Sequence, residues 1–343
     1  MSFFRAATPL WIQGPFGHLP GQVVDNDALV RWMDVEIRGS WIERKSGVRQ
    51  RHWAAKEEAC SDLAVAAAEK LFAAHAGLRE RVRQIVISTV SGDYPTPPTS
   101  PLVQDRLGLS QAGAFDLAAA CAGFPSALHV AACLAHATRQ TQLVVSSEIR
   151  SKFLHPKDFA TSALFGDGAA AAAVEVASEG AQAERGDFRF LASQLFSEGS
   201  IADLIAIPAG GTRLPRSSRD EDHCLRMKDG AAVFVKAVRG MCDAAEQFLE
   251  NAGVEKSAVD WLVPHQANLH LIREVSKRMG TPPERVVEIV QTTGNTSGAS
   301  TGLALAHLRS SGALKAGQKI LIAAAGGGGL AACVLLEVAE STA

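Results

Sequence analysis

One cysteine in the sequence occupies a position where a thiol can become a nucleophile. Cys121 follows a short apolar run, residues 114–120, which predicts a buried strand, and it precedes a stretch of helical composition that begins near Pro125. Proline suits the first turn of a helix, where its missing N–H costs nothing. A thiol at a helix N-terminus feels the positive end of the helix dipole and the unpaired N–H groups, and both favour the thiolate. Cys121 is therefore a candidate nucleophile, although a buried apolar cysteine is the commoner fate of this residue.

Two further polar side chains occupy comparable places. His265 comes directly after a predicted strand, and Asn295 lies between Gly294 and Gly298, where the backbone must be tight and irregular. Active sites of parallel sheets gather at the carboxyl ends of their strands. Taken singly, a histidine after a strand is usually a satisfied structural residue, and an asparagine between glycines is usually a turn residue. Taken with Cys121, the two side chains predict one cleft to which different parts of the chain contribute.

The elements that position these side chains are alternating strands and helices. Predicted strands cover residues 83–91, 141–147, 164–176, 259–264 and 318–325, and the main predicted helices cover residues 26–35, 60–76, 226–252 and 268–280. The order strand, helix, strand, glycine turn and strand occurs twice, which indicates an internal duplication. We predict an α/β protein with an N-terminal half, 1–176, that carries the cysteine, and a C-terminal half, 177–343, that carries the histidine and asparagine.

Two segments are predicted to lack regular structure. Residues 40–52 hold Trp41 and a cluster of basic side chains that includes Lys45 and Arg51. A solvated surface loop is the favoured interpretation, and a docking site for a phosphate-bearing ligand is the alternative. Residues 94–101 are rich in proline and are predicted to form an irregular loop.

Composition excludes several classes of protein. The chain has 343 residues, 47% of them hydrophobic, and a formal net charge of −2 without a basic run, which argues against nucleic acid as a partner. No uncharged apolar stretch has membrane-spanning length, so no membrane association is predicted. The six cysteines are far apart and form no CxxC pair, so neither a metal site nor a disulfide framework is expected. We expect a cytoplasmic protein with reduced thiols.

Cysteine, histidine and asparagine occur in this chain order in papain-like proteolysis, whose local cysteine signature is absent here, and in the ketoacyl synthase reaction. The segments that decide between them are DLAAACAGF around Cys121, FGDGAAAA at 165–172, WLVPHQAN at 261–268, GNTSGAS at 294–300 and the glycine run at 326–329. In their order and spacing they resemble the β-ketoacyl-ACP synthase III family of the thiolase superfamily. The resemblance implies a thiolase-like five-layer αβαβα fold, a homodimer, an acyl-CoA or acyl-ACP donor, and a malonyl-ACP-type acceptor bound to acyl carrier protein.

The resemblance also implies roles for individual residues. Cys121 would take the acyl group from the donor thioester, and His265 and Asn295 would donate hydrogen bonds to the enolate oxygen that forms when CO2 is lost. The backbone N–H groups of Cys121 and Gly328 would form the oxyanion hole. No metal, redox group or other cofactor would be needed. The other expected contacts are substrate binding by Trp41, Lys45, Phe234 and Asn268, and carrier docking by Arg273, Lys277 and Arg278.

Departures from the family pattern concern the substrate. Phe159 stands near the place of an arginine that would accompany Trp41 on the adenine of coenzyme A, and His270 stands where the family often has a carrier-docking arginine. After the glycine run, small or aliphatic residues at 329–331 replace bulkier aromatic ones, which would widen the acyl pocket. We therefore expect a relative from specialised metabolism, such as polyketide biosynthesis, with a longer or unusual donor, rather than an enzyme that primes fatty acids from acetyl-CoA.

Three alternatives remain at the level of sequence. The acyl group on Cys121 could pass to an alcohol or amine, or condense with a β-ketoacyl thioester. The chain could be a non-catalytic partner subunit of a synthase, although such a subunit would be expected to lose its nucleophile. The glycine run at 326–329 could indicate dinucleotide binding, but no GxGxxG motif opens the chain.

Overall fold

The protein combines β-strands and α-helices in the computed structural model, which describes residues 2–177 and 187–340. The strands are β1 Ser2–Phe4, β2 Leu10–His18, β3 Gln22–Asp25, β4 Gln50–Trp53, β5 Val82–Ser88, β6 Gly113–Leu117, β7 Thr141–Glu148, β8 Gly168–Val176, β9 Phe188–Ser197, β10 Ile205–Ala206, β11 Arg226–Met227, β12 Trp261–Pro264, β13 Lys319–Gly326 and β14 Leu330–Val338. The helices are α1 Asn26–Met33, α2 Gly39–Ser46, α3 Cys60–Ala74, α4 Leu78–Arg81, α5 Thr99–Arg106, α6 Gly123–Thr138, α7 Phe159–Ser162, α8 Gly230–Ala252, α9 Leu269–Met279, α10 Val290–Thr293 and α11 Ser300–Ser310.

The main sheet consists of two similar parts joined edge to edge. Its strand order is β12-β13-β14-β9-β2-β8-β7-β5-β6, and the two parts meet where β2 pairs antiparallel with β9. Strands β5, β6 and β7 run parallel in one part, as β12 and β13 do in the other, and β8 and β14 are the antiparallel strands. An isolated parallel bridge from Leu262 to Val286 lies beside β12 in the way that β6 lies beside β5. The same strand order therefore occurs twice, while the boundary at 176/177 stays a prediction.

Helices cover both faces of each part, because the strands bury side chains on both sides. In β5, Ile85 and Ile87 pack with α3 and α5, whereas Val86 faces the opposite way, toward α6 and α11. The core around α6 and α11 also takes residues from β12, β13 and β14. On the far side of those strands, α8 and α9 close a third core. From one side to the other, the layers are the helices α3 and α5, the part of the sheet that contains β5, the central pair α6 and α11, the part that contains β13, and the helices α8 and α9. This order confirms the predicted five-layer fold.

Helix α6 is the central helix of this arrangement. With the turn before it, the segment 120–138 is the one part of the described chain long and apolar enough to cross a membrane by length and composition. However, 67% of this apolar segment is buried inside the protein, as expected for a helix packed between two parts of the sheet.

Two predictions of irregular structure are wrong. Residues 40–52 form most of α2 and the start of β4 instead of a loop. Arg51 is fully buried, and its guanidinium donates to the carbonyls of Val24 and Ala163 and to Asn26 Oδ1. The proline-rich segment ends earlier than predicted, because α5 begins at Thr99, where the Asp116 carboxylate accepts from the first helical N–H groups.

Candidate active site

Cys121 sits at the N-terminal end of the central helix. Strand β6 ends at Leu117, so the predicted strand over 114–120 is too long; a 3-10 turn, Ala120–Ala122, carries the cysteine, and α6 begins at Gly123. Ala120 has a φ of 45°, a conformation that an alanine rarely adopts. Such strained backbone concentrates at functional sites, and here it lies at the residue directly before the candidate nucleophile.

The environment of the Cys121 sulfur is mixed. Burial is the main influence and raises the pKa of the thiol, and the nearby Glu148 carboxylate raises it further. The Ser297 hydroxyl, 3.9 Å from the sulfur, the Arg150 guanidinium and the Gly327 N–H all act to lower the pKa. Because burial dominates, the resting residue is a thiol, and the thiolate expected from the helix N-terminus alone is outweighed.

His265 follows β12 and is buried. Its Nδ1 lies 2.7 Å from Ser300 Oγ, and that same hydroxyl oxygen accepts from the Gln266 N–H. The Ser300 hydroxyl is free to donate its hydrogen to Nδ1, and in that arrangement the ring hydrogen is on Nε2. Burial lowers the pKa of His265 to about 4, so the ring is a neutral hydrogen-bond donor at physiological pH.

Asn295 is fixed through both its backbone and its side chain. Its N–H donates to Leu164 O at 2.9 Å, and its carbonyl accepts from the Gly166 N–H at 3.1 Å, so the FGDG segment holds the asparagine in place. Its side-chain Oδ1 accepts from the Ser297 N–H at 2.8 Å. Because the oxygen is already engaged, the amide nitrogen is the group that Asn295 offers to the cavity.

A single cavity of about 1030 Å³ brings the three side chains together. Cys121, His265 and Asn295 all line it, although they come from three separate parts of the chain. Such a cavity, with a few convergent polar groups, is the usual form of a small-molecule site. Among residues 2–177 and 187–340, no group of three or more histidine, cysteine and acidic side chains could hold a metal ion.

The glycine run packs directly against the nucleophile. A Cβ placed on Gly326 would lie 2.4 Å from Cys121 Cβ and 3.0 Å from its sulfur, so only glycine allows this approach. The N–H that reaches the sulfur belongs to the next residue, Gly327. Gly328 also lines the cavity, with a φ of 80°, and its assignment to the oxyanion hole stays a prediction.

The predicted substrate-binding residues all line the same cavity. Trp41 is 37% exposed and makes an edge-to-face contact with Phe159, with ring centroids 5.1 Å apart, and the Lys45 ammonium lies 5.7 Å from its ring. Phe234, on α8, is partly buried in the wall. Asn268 has a structural task as well, because its Oδ1 caps α9 by accepting from the Leu271 N–H.

The predicted carrier-docking residues lie elsewhere. Arg273 pairs with Glu288 at 3.5 Å, and Arg278 pairs with Asp243. Arg273 and Lys277 line a second groove, which shares no lining residue with the cavity that contains Cys121. None of the three cations lines the cavity that contains Cys121, although Asp243, the partner of Arg278, does. Their role in docking stays a prediction.

Two charged residues of the site were missed from sequence. Arg150 lines the cavity but is only 4% exposed, and its Nε is buried without a hydrogen-bond partner. Glu148, fully buried, places Oε2 4.0 Å from an Arg150 nitrogen. The signal was present in the segment SSEIR, which puts two opposite charges directly after a buried strand. Buried ionisable groups in a cleft are candidates for function.

Arg150 is held firmly in place. The buried Asp167 carboxylate accepts from the backbone N–H groups of Arg150 and Ser151, at 2.7 and 2.8 Å, and from the Ala54 N–H at 2.7 Å. Asp167 is the aspartate of the FGDG segment. That segment therefore fixes two features of the site, the backbone of Arg150 and the backbone of Asn295.

Known proteins resemble the chain over almost its whole length. The family model for 3-oxoacyl-[acyl-carrier-protein (ACP)] synthase III matches residues 115–199, and the model for its C-terminal part matches residues 249–338. A 3-oxopimeloyl-[acyl-carrier-protein] synthase of Rhodothermus marinus is 40% identical over 301 residues, which is 87% of this chain and 85% of the relative. A β-ketoacyl-[acyl-carrier-protein] synthase III of Methylococcus capsulatus is 39% identical over 92% of this chain and 95% of the relative.

Solved structures resemble it equally well. The 3-oxoacyl-(acyl carrier protein) synthase III of Pseudomonas aeruginosa superimposes with a TM-score of 0.85 at 36% identity, covering 98% of this chain and 100% of that one. The priming β-ketosynthase from the R1128 polyketide biosynthetic pathway gives a TM-score of 0.84 at 30% identity, covering 98% of this chain and 99% of that one.

Proposed function

The chain belongs to the 3-oxoacyl-[acyl-carrier-protein] synthase III family, and on that premise we propose that its acyl donor carries a terminal carboxylate. Membership makes it a condensing acyltransferase. The donor, the acceptor and the role of each side chain are the parts proposed below. The acceptor is a malonyl group on acyl carrier protein, consistent with the carrier named in the relatives.

The proposed reaction has two stages, acylation of Cys121 and condensation with the malonyl thioester. The Cys121 sulfur attacks the donor carbonyl, a new thioester bond forms, and the donor thiol leaves with the proton that the cysteine gives up. Malonyl thioester then loses CO2, and the electron pair of the broken C–C bond moves onto the thioester oxygen. Neutral His265 Nε2–H and the Asn295 amide donate to that oxygen as charge develops. The resulting carbanion attacks the acyl carbon, and Cys121 leaves as the thiolate.

One observation carries the choice of donor: Arg150 is a buried guanidinium in the wall of the acyl cavity. Its charge acts on Cys121, so it lies near the nucleophile. A donor with a plain alkyl chain would place apolar atoms against the guanidinium that lines the cavity, and removing a charged group from water without a polar partner costs free energy. A carboxylate at the end of the acyl chain would accept from the guanidinium in the planar geometry that favours this pair.

The product named for one relative agrees with this choice. A 3-oxopimeloyl group has seven carbons and a terminal carboxylate. Condensation adds two carbons from malonate, so the acyl group on the cysteine would be a five-carbon dicarboxylic unit, glutaryl. We propose a glutaryl-type thioester as the donor of this chain. The presence of both His265 and Asn295 favours condensation, because both can donate hydrogen bonds to an enolate oxygen. Transfer to an alcohol or amine would instead require a general base.

The experiment compares two donors of equal length on variants of one residue. Purified wild-type protein is mixed with glutaryl-CoA or pentanoyl-CoA, and acylation of Cys121 is followed by intact-protein mass spectrometry. We expect wild type to prefer glutaryl-CoA. Arg150→Leu should lower glutaryl acylation by about 30-fold to 1000-fold, since losing one partner of a buried charge pair costs about 2–4 kcal/mol, and should improve pentanoyl acylation. Arg150→Lys, which keeps the charge without the planar fork, should fall between them. A wild-type preference for pentanoyl-CoA would refute the proposal.

The assembly and location are also proposals. We propose a homodimer formed by β6, because this strand ends the main sheet and is only partly buried. An unpaired edge strand is a template for pairing with a second chain. A cytoplasmic location agrees with six cysteines that are all unpaired. Sedimentation velocity should give about twice the chain mass of 36.1 kDa, and a species of 36.1 kDa at micromolar concentration would contradict the dimer. We expect the reaction to need no cofactor beyond its thioester substrates.

A further inference from the structure

The buried carboxylate of Glu148 connects three segments of the chain close to the nucleophile. Glu148 ends β7, and its Oε2 accepts from the Ser91 hydroxyl at 2.6 Å, while its Oε1 faces the Val90 N–H at 3.3 Å. The carboxylate also accepts from the Gly298 N–H, in the segment that carries Asn295. Glu148 therefore connects the loop after β5 and the end of β7 to the Asn295 segment.

Gly298 shows how tightly this connection is built. A Cβ on Gly298 would lie 3.1 Å from Glu148 Oε1 and 2.8 Å from the carbonyl oxygen of Ala120, the residue before the nucleophile. Any side chain at position 298 would therefore push the Glu148 carboxylate and the backbone before Cys121 apart, so the close contact requires glycine. Glu148 touches neither the cavity nor a reacting atom, because it is fully buried and absent from the cavity wall.

The only cation beside this carboxylate, within the described residues, is the one that faces the donor. Arg150 Nη1 lies 4.0 Å from Glu148 Oε2, and both side chains are almost fully buried. The other titratable groups around Glu148 are the thiols of Cys121 and of Cys60, at the start of α3. Burial raises the pKa of Cys60 to about 12 and also raises that of Cys121, so neither thiol contributes charge near neutral pH.

We infer that Glu148 is a positioning residue that sets how strongly Arg150 selects a donor with a terminal carboxylate. When Glu148 is ionised, the Arg150 guanidinium already has a buried counterion. A donor carboxylate would then be a second negative charge beside the same guanidinium, and its binding would be weaker. With Glu148 protonated, the full positive charge of Arg150 is available to the donor. The inference rests on the proposed function, because it assumes that Arg150 meets the donor.

The direction of the pH dependence follows from this arrangement. Burial raises the pKa of Glu148 to about 7, against the opposing effects of Arg150, Ser91 and two backbone N–H groups. Glu148 is thus mostly protonated below neutral pH and mostly ionised above it. A free donor carboxylate, with an ordinary pKa near 4, stays ionised throughout. The preference for a carboxylated donor should therefore fall as the pH rises through about 7.

The test measures a ratio, so that the titration of Cys121 cancels. Acylation rates with glutaryl-CoA and pentanoyl-CoA are measured on the full-length protein from about pH 5.5 to about pH 8.5, and their quotient is plotted. We expect the quotient to fall about tenfold across this range, which corresponds to a shift of about one unit in the pKa of Glu148 when the donor binds. In Glu148→Gln, which keeps the shape and loses the charge, the quotient should stay high and flat. Glu148→Asp should retain the fall.

The outcomes separate this inference from the proposed function. If glutaryl-CoA fails to acylate wild type at every pH, the proposed donor is wrong. If glutaryl-CoA acylates well but the wild-type quotient does not change with pH, the donor stands and the role of Glu148 is refuted. Because the wild-type profile alone decides this, the test holds even if Glu148→Gln fails to fold. A purely structural role would lower both rates together and leave the quotient unchanged.

Discussion

Replacing Gly326 by alanine should disable the nucleophile while leaving the protein folded. The new Cβ would lie 2.4 Å from Cys121 Cβ and 2.9 Å from its backbone nitrogen. Non-bonded carbons sit about 3.5–4.0 Å apart, so the glycine run and the cysteine must separate by more than about 1 Å. A displacement of about 1 Å at a reacting group costs about 100-fold in rate. Overpacking of this kind costs about 1–3 kcal/mol of stability, which a folded domain of this size tolerates.

The neighbouring glycine supplies a matched control. A Cβ on Gly327 would meet nothing closer than 3.7 Å, so Gly327→Ala should keep the rate of acylation close to that of wild type. The assay is the rate of acyl transfer to Cys121, measured by intact-protein mass spectrometry, with thermal unfolding of both variants as the check on folding. A Gly326→Ala protein that acylates at the wild-type rate would refute the placement of the glycine run against the thiol.

Three further predictions concern buried groups. His265→Gln should change acylation of Cys121 by no more than about threefold but slow condensation with malonyl-ACP by about 100-fold or more, because the enolate loses a donor; equal losses in both steps would contradict this role. Because burial lowers the pKa of His265 to about 4 from an unfolded value of 6.5, its neutral form stabilises the fold above pH 6.5. About 3 kcal/mol of that stability should be lost as the pH falls from 6.5 to 4, and chemical denaturation should show a smaller loss in His265→Gln. Arg51→Lys should lower the free energy of unfolding by about 2–4 kcal/mol in urea titrations, since one ammonium cannot reach all three acceptors of the buried guanidinium; an unchanged midpoint would show that these hydrogen bonds contribute nothing.

The elements that position the site follow patterns that a sequence displays. The run Ile85-Val86-Ile87 is apolar on both faces because both faces are covered, and that continuous pattern predicts a buried strand. The same type of pattern precedes His265, and β12 ends at Pro264, where the sequence predicts. The five-layer order and the family rest on the resemblance of whole motifs, which is stronger than any single residue.

Other features depend on contacts between distant parts of the chain. Arg51 belongs to a cluster of basic residues that looks solvated, yet carbonyls from β3 and from the segment after α7 draw its guanidinium inside. The sequence gives no distance between residue 51 and residue 163. Similarly, the position of Cys121 predicts a favoured thiolate, but the surrounding chain buries the sulfur and reverses the direction of its pKa shift.

The proposed donor site shows a third reason why a sequence does not reveal a site. Arg150 and Glu148 stand two residues apart in the sequence, where opposite charges normally lie on a solvated surface. Only the structure shows that β7 ends inside the protein and delivers both charges to the back of the nucleophile. Two opposite charges spaced two residues apart at the end of a buried strand are therefore worth testing as part of a site.

The most direct test of the account is a two-step reaction on the purified protein. Glutaryl-CoA is added first, the mass of the protein is recorded, and malonyl-ACP follows, with Cys121→Ala run in parallel. We predict a gain of one glutaryl group that is absent in Cys121→Ala, its loss when malonyl-ACP is added, and the appearance of a seven-carbon 3-oxo dicarboxylic group on the carrier protein. A glutaryl adduct that persists in the presence of malonyl-ACP, or no adduct on Cys121, would contradict the account.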